Sequence, residues 1–114
     1  MALTREFRES LRDRARGDGE FRAALLTEAA EALVSGEAEA ARFLLRDFIN
    51  ATLGFEALAR RTGIPPKSLH RMFGRNGNPS MEKLARVLRA LEQEEGIRLT
   101  VTAEAVAEAA AVAK

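Results

Sequence analysis

Basic side chains concentrate between residues 55 and 79 of this 114-residue chain. Five basic residues stand there against one acidic residue, a net charge of +4, whereas residues 1–54 have eight against ten and residues 80–114 five against six. Such local positive charge is typical of a nucleic-acid-binding surface, because it neutralises the phosphate groups of the bound nucleic acid. A basic, solvated helix surface would give the same charge count. The pattern of the other residues therefore has to distinguish these two interpretations.

The residues between these charges have the pattern of two short helices joined by a tight turn. Gly63 suits the left-handed conformation that ends many helices. Pro65 and Pro66 follow it, and proline is well tolerated in the first turn of a helix because the N–H that it lacks has no partner there. We therefore expect the first helix to end at Gly63 and the second to begin at Pro65 and Pro66.

The second of these helices has an apolar face and a basic face. Leu69 and Met72 lie three residues apart, which is the spacing of a buried helix face. Lys67, Ser68 and Arg71 therefore fall on the opposite side. A short helix with a polar, basic outer face that follows a tight turn is the sequence form of a helix-turn-helix, so this stretch predicts DNA binding.

Helical patterns also precede and follow this stretch. The predicted further helices cover residues 4–16, 18–34, 37–52 and 81–95. Thr4, Asp18 and Ser80 are expected to cap three of them, and Gly54 is expected to stop the third. The expected inward residues of the second helix are Phe21, Leu25 and Leu33. The strongest core face belongs to the third helix, with Ala41, Leu44, Leu45, Phe48 and Ile49.

Residues 97–102 alternate apolar and polar side chains, which predicts a half-buried strand. No other segment has the pattern of a strand that could pair with it. Three explanations stay open: pairing with the same strand of a second copy, addition to a sheet of a different protein, or an extended segment packed on the domain. Residues 103–114 have high helix propensity but no large side chains, and we expect a frayed helix or a mobile tail there.

The composition is that of a single globular domain. Hydrophobic residues make up 46% of the chain and charged residues 31%, and six Phe are the only aromatic residues. Cysteine is absent, which excludes disulfides and thiolate chemistry. No apolar run approaches the ~20 residues that span a bilayer, and the charged N-terminus lacks a signal-peptide pattern, so we expect a cytoplasmic protein without membrane contact.

No group of residues supports catalysis or metal binding. His70 is the only histidine and has no partners at ligand spacing, so we interpret it as a surface or DNA-facing residue. Gly74 and Gly77 lack the strand and the Gly-Lys-Ser/Thr ending of a nucleotide-binding loop. We therefore expect no enzyme activity, no metal ion and no cofactor. RNA binding is disfavoured because the chain shows no aromatic stacking platform.

A family resemblance becomes visible over residues 46–79, which read RDFINATLGFEALARRTGIPPKSLHRMFGRNGNP. This stretch, followed by a capped helix, resembles the Cro/lambda-repressor-like (XRE) helix-turn-helix family. The PPKSLHRM and GNPS elements are similar to its branch of addiction-module antidotes, the HigA-like antitoxins. The resemblance covers about residues 44–101 and extends more loosely to FRAALLTEAAEALVSGE. It implies a bundle of about five helices that binds operator DNA as a homodimer and represses its own transcription.

The resemblance also implies a role for individual residues. The recognition helix would run from Pro66 to Phe73. Its base-contacting residues would be Lys67, Ser68 and Arg71, and Arg71 could pair with guanine through two hydrogen bonds. The implied contacts to the DNA backbone are Arg60, Arg61, Arg75, Asn76, Asn78 and Ser80. For Arg60 and Arg61 a solvated helix face is an equally good interpretation.

Two places depart from the family pattern. Phe55 stands where the first helix of the motif commonly opens with a polar residue that touches phosphate, and its ring is better suited to packing. Pro65 and Pro66 replace polar residues often found at the start of the recognition helix. Base readout is therefore expected to rest on few side chains, chiefly those of Lys67 and Arg71 with Ser68.

The patterns predict a mainly α fold with one C-terminal β-strand paired across a dimer, and the resemblance implies that its five to six helices form a lambda-repressor-like bundle. The expected divisions are an N-terminal helical extension (1–36), a helix-turn-helix DNA-binding domain (37–96), the strand (97–102) and an alanine-rich tail (103–114). The expected function is a sequence-specific DNA-binding transcriptional regulator, the antitoxin of a toxin–antitoxin pair that represses its own operon. The alternative is an interaction module that mainly neutralises a partner toxin, through residues 4–34 or the strand, with DNA binding secondary.

Overall fold

The computed structural model describes residues 5–107, which form six helices. The helices are α1 (Arg5–Gly17), α2 (Gly19–Val34), α3 (Ala38–Ala51), α4 (Gly54–Thr62), α5 (Pro66–Met72) and α6 (Met81–Glu95). The mainly helical fold is thus confirmed. The expected Thr4 cap and residues 108–114 of the tail lie outside the described residues. None of the six helices is both long and apolar enough to cross a bilayer.

Two short polar side chains and one glycine fix three of the helix ends at the residues that the sequence predicted. The Asp18 carboxylate accepts a hydrogen bond from the Phe21 N–H at 3.1 Å and caps α2. The Ser80 hydroxyl accepts from the Lys83 N–H at 3.2 Å and caps α6. Gly63 ends α4 in the left-handed region, with φ of 76°. These three predictions are confirmed, because capping depends on residues that are close in sequence.

Gly54 begins a helix instead of stopping one, so that prediction is wrong. α3 ends at Ala51, and the Thr52 hydroxyl donates to the Phe48 carbonyl oxygen at 2.7 Å across the last turn. The chain then turns through Thr52 and Leu53. Gly54 is the first residue of α4 and has φ of 84°, a conformation that favours glycine because a Cβ is strained there.

A single hydrophobic core joins α2 to α6 and includes the connection between α4 and α5. Its buried members are Leu26, Ala29, Leu45, Phe48, Ile49, Phe55, Leu58, Ile64, Leu69, Met72, Phe73, Val87, Ala90 and Leu91. The core face predicted for the third helix is confirmed, since four of its five residues are buried and Leu44 packs against the core.

The inward face of α2 differs from the prediction. Its buried residues are Leu26, Ala29 and Ala32. The residues that were expected to face inward, Phe21, Leu25 and Leu33, are half-buried, and of these Leu25 packs against the core. α2 packs against α3, and small side chains let neighbouring helices approach closely. Selecting large side chains therefore identified Leu25 but missed the small buried residues Ala29 and Ala32.

Residues 97–106 do not form a strand, which corrects the prediction for 97–102. Ile97 and Leu99 pack against the core, and the Leu99 N–H donates to the Glu92 carboxylate at 2.6 Å. No second strand lies beside this segment in the described chain, so no ladder of hydrogen bonds can form. Within the described chain the segment packs on the domain as far as Leu99. Pairing with a second copy or with a different protein stays a prediction.

Candidate nucleic-acid interface

The connection between α4 and α5 is fixed by hydrogen bonds of a buried threonine. Thr62 has 6% of its surface exposed, and its hydroxyl donates to the Leu58 carbonyl oxygen at 2.8 Å. The same hydroxyl accepts from the Ile64 N–H at 3.2 Å. The Gly63 N–H adds a bond to the Ala59 carbonyl oxygen at 2.8 Å. The angle between the two helices is therefore set locally.

α6 braces this connection from the other side. The Arg86 guanidinium donates to the Thr62 carbonyl oxygen at 3.1 Å. Carbonyl groups in the last turn of a helix lack intrahelical partners, so this bond satisfies one that would otherwise depend on water. The roles of Thr62 and Arg86 are not visible in the sequence. No local pattern joins residues that lie 24 positions apart.

The two faces of α5 divide as predicted. Leu69 is fully buried and Met72 has 7% of its surface exposed. Lys67 and Arg71 are exposed, and Ser68 is half-buried at the edge of the same outer surface. The core thus holds α5 along one side and leaves two cationic side chains on the other.

The loop after α5 folds tightly against the end of that helix. Gly77 is buried, and a Cβ at this position would lie 2.2 Å from the Met72 carbonyl oxygen and 2.6 Å from that of Arg71. The Gly77 N–H donates to the Gly74 carbonyl oxygen at 2.9 Å. Asn76 adopts the left-handed conformation just before it, with φ of 67°. Glycine at 77 is thus explained by close backbone approach.

A groove of about 220 Å³ opens between α5, this loop and the start of α6. The polar side chains that line it are Ser68, Arg71, Asn76, Asn78 and Lys83. Folding therefore brings four of the predicted contact residues together. Lys83 is an addition that sequence analysis missed, because only the packing of α6 beside the loop brings it there.

Other predicted contact residues lie outside this groove. Arg61 pairs with Glu94 at 2.6 Å, and Glu94 lies roughly 16 Å along α6 from Lys83. This ion pair is exposed, and pairs of that kind contribute little stability. Arg60 and Arg75 are exposed but do not line the groove. The Ser80 hydroxyl is engaged in capping α6.

An aromatic stack joins the two short helices. The imidazole of His70 on α5 stacks on the ring of Phe55 on α4, with the ring centroids 4.3 Å apart and the planes inclined by 29°. Phe55 is buried, with 5% of its surface exposed, which confirms that this residue packs. His70 is exposed. The stack could not be expected from the sequence, because the two residues belong to different helices.

The described residues give no sign of a metal centre. Within residues 5–107 no group of three His, Cys, Asp or Glu side chains is placed to hold a metal ion.

Comparison with known proteins identifies no relative of this chain. No protein-family model, no curated protein and no solved structure matches it. The arrangement of α4, α5, the loop and α6 is therefore the feature of this molecule that bears on its function.

Proposed function

We propose that this protein is a sequence-specific DNA-binding regulator that inserts α5 into the major groove. The observation that supports this most directly is the outer surface of α5, where Lys67 and Arg71 are exposed while Leu69 and Met72 anchor the helix in the core. With α4 and the braced connection, this arrangement supports the assignment of a helix-turn-helix. An α-helix of this kind fits the width of the major groove.

The cations on this surface are available to a ligand. Lys67, Arg71 and Lys83 make no ion pair within residues 5–107. In the proposed complex Lys67 and Arg71 face base edges, where Arg71 can form two hydrogen bonds to guanine. Ser68 lies at the edge of the same surface and also faces a base, whereas Asn76, Asn78 and Lys83, together with the exposed Arg60 and Arg75, face the phosphates.

The proposal includes a homodimer on operator DNA in the cytoplasm. Residues 100–106 make no backbone hydrogen bond within the described chain, so a second copy could pair with them. A two-fold dimer would place two α5 helices on half-sites about one helical turn apart. The resemblance to the XRE antidote branch supports a repressor of its own operon and an antitoxin role.

Fluorescence anisotropy tests the DNA proposal. The purified chain is titrated onto its own upstream DNA and onto a scrambled duplex, across a series of salt concentrations. We expect selective binding that weakens steeply with salt, because phosphate contacts release counterions. Equal, weak binding to both duplexes would contradict a sequence-specific regulator.

Substitution of Arg71 tests the assignment of α5 as the recognition helix. Arg71→Ala is expected to cost ~1–3 kcal/mol of binding free energy and to relax the preference at one base pair. The matched control is Arg5→Ala, which removes an exposed arginine from α1, a helix that packs on α2 and α3. Unchanged affinity of Arg71→Ala, or an equal loss in both variants, would refute the assignment.

A second candidate function is binding of a partner protein, with DNA binding secondary. The observation that favours it is a groove of about 550 Å³ between α2 and the extended segment, lined in part by Val34 and Val101. These valines have 72% and 80% of their surface exposed. A truncation after Leu99 separates the two functions. If it abolishes capture of the co-expressed neighbouring gene product while monomeric DNA binding remains, the groove is the protein-binding site.

A further inference from the structure

His70 lies on the same outer surface of α5 as the two exposed cations, at its edge. Successive residues of a helix are rotated by about 100°, so Arg71 lies about 40° to one side of Lys67 and His70 about 60° to the other. Ser68 lies about 100° from Lys67 on the Arg71 side. Ser68 lines the 220 Å³ groove of the protein that lies between α5 and α6, and His70 stacks on Phe55 of α4. The two residues therefore flank the cations on opposite edges.

The stack on Phe55 holds the imidazole of His70 in place. The ring centroids lie 4.3 Å apart, and Phe55 itself is almost fully buried. An aromatic pair with this geometry favours one orientation of the exposed ring. Neither ring nitrogen of His70 has a hydrogen-bond or ion-pair partner within residues 5–107. A fixed ring with a free N–H donor is thus presented to solvent beside the cations.

We infer that His70 donates a hydrogen bond to a backbone phosphate of the bound DNA, on the side of the major groove next to α4. This inference rests on the proposed function. When Lys67 and Arg71 point at the floor of the major groove of the DNA, residues at the edges of the same helix surface point at the walls of that groove. The backbone phosphates form those walls. Because the stack already orders the imidazole, little side-chain entropy is lost when the contact forms.

The variant His70→Phe separates the hydrogen bond from the stack. Phenylalanine keeps an aromatic ring on Phe55 and removes both ring nitrogens. The probe is a duplex that the wild-type protein selects from a random-sequence pool. We expect His70→Phe to bind this duplex about tenfold more weakly, since a hydrogen bond to a charged group is lost, and to melt at the wild-type temperature. Wild-type affinity in His70→Phe would overturn the inference.

Single uncharged methylphosphonates in the duplex locate the contact. We expect one position in each half-site at which the substitution weakens wild-type binding about tenfold but has no further effect on His70→Phe. If every position penalises both proteins equally, His70 does not touch a phosphate. Should His70→Phe fail to fold, His70→Ala is mapped with the same duplexes. The same results are then expected, and the same results would refute the contact.

The two proposals can fail separately. If the wild-type protein selects no duplex from the pool, the proposed DNA-binding function fails and the inference fails with it. If a duplex is selected and Arg71→Ala weakens its binding while His70→Phe does not, only the role of His70 is refuted.

Discussion

Two surfaces of this molecule differ in how far hydrogen bonds within the chain hold the backbone in place. Around α5, the buried Thr62 fixes the preceding connection, Gly77 closes the following loop and Ser80 caps α6. At the other surface, the segment 97–106 is anchored only at its beginning, where Glu92 accepts from the Leu99 N–H. Beyond it, residues 100–106 make no backbone hydrogen bond within the described chain.

This difference shows what each surface can offer to a partner. The surface around α5 is held by hydrogen bonds of Thr62, Gly77 and Ser80 and presents unpaired cationic side chains on that support, which suits a charged polymer such as DNA. The segment 100–106 presents free N–H and C=O groups together with the exposed Val101, which suits a protein chain that adds hydrogen bonds and covers apolar surface. The predictions below test this contrast.

The largest expected effect comes from placing a carboxylate at one apolar residue of each surface. Leu69→Asp buries an unpaired charge at a fully buried position and is expected to cost more than ~4 kcal/mol, enough to abolish cooperative folding. Val101→Asp places the same group on a side chain with 80% of its surface exposed, and its melting curve at low protein concentration should match the wild type. Thermal unfolding followed by circular dichroism measures both. A normal curve for Leu69→Asp would place α5 outside the core.

A smaller loss of stability is expected where the loop approaches α5. Gly77→Ala places a methyl group 2.2 Å from the Met72 carbonyl oxygen, a backbone atom that cannot rotate away. We expect a cost of about 2–3 kcal/mol and a fall in Tm of roughly 10 °C. Gly17→Ala is the matched control, because a Cβ there has no neighbour within 4 Å. If both variants melt alike, the loop is not held against α5.

Local rules predicted much of the fold and the outer surface of α5. The ends of α2, α4 and α6 follow from Asp18, Gly63 and Ser80, whose capping partners are only a few residues away. The separation of Leu69 from Lys67 on α5 follows from helix periodicity alone. Such features depend on neighbours in the sequence, so the sequence contains the information needed to predict them.

The remaining features depend on contacts between distant residues. Arg86 reaches the end of α4, Lys83 joins the groove and His70 covers Phe55 only after the helices have packed. The alternation in residues 97–102 predicted a strand, but a strand also requires a neighbour, which the described part of this chain does not supply. Sequence patterns of one chain indicate local conformation, and they do not identify what lies across from it.

The smallest expected effect concerns assembly through the segment 97–106. If a second copy pairs with this segment, Val101→Asp brings two like charges together across the two-fold axis and should weaken self-association about tenfold or more. Met81→Asp is the matched control, because Met81 is equally exposed, at 87%, but lies at the far end of α6. Sedimentation equilibrium over a range of protein concentrations measures the change. A wild-type chain that stays monomeric throughout would exclude the second copy and leave the segment to a different protein, whereas equal weakening by both variants would point to net charge instead of pairing.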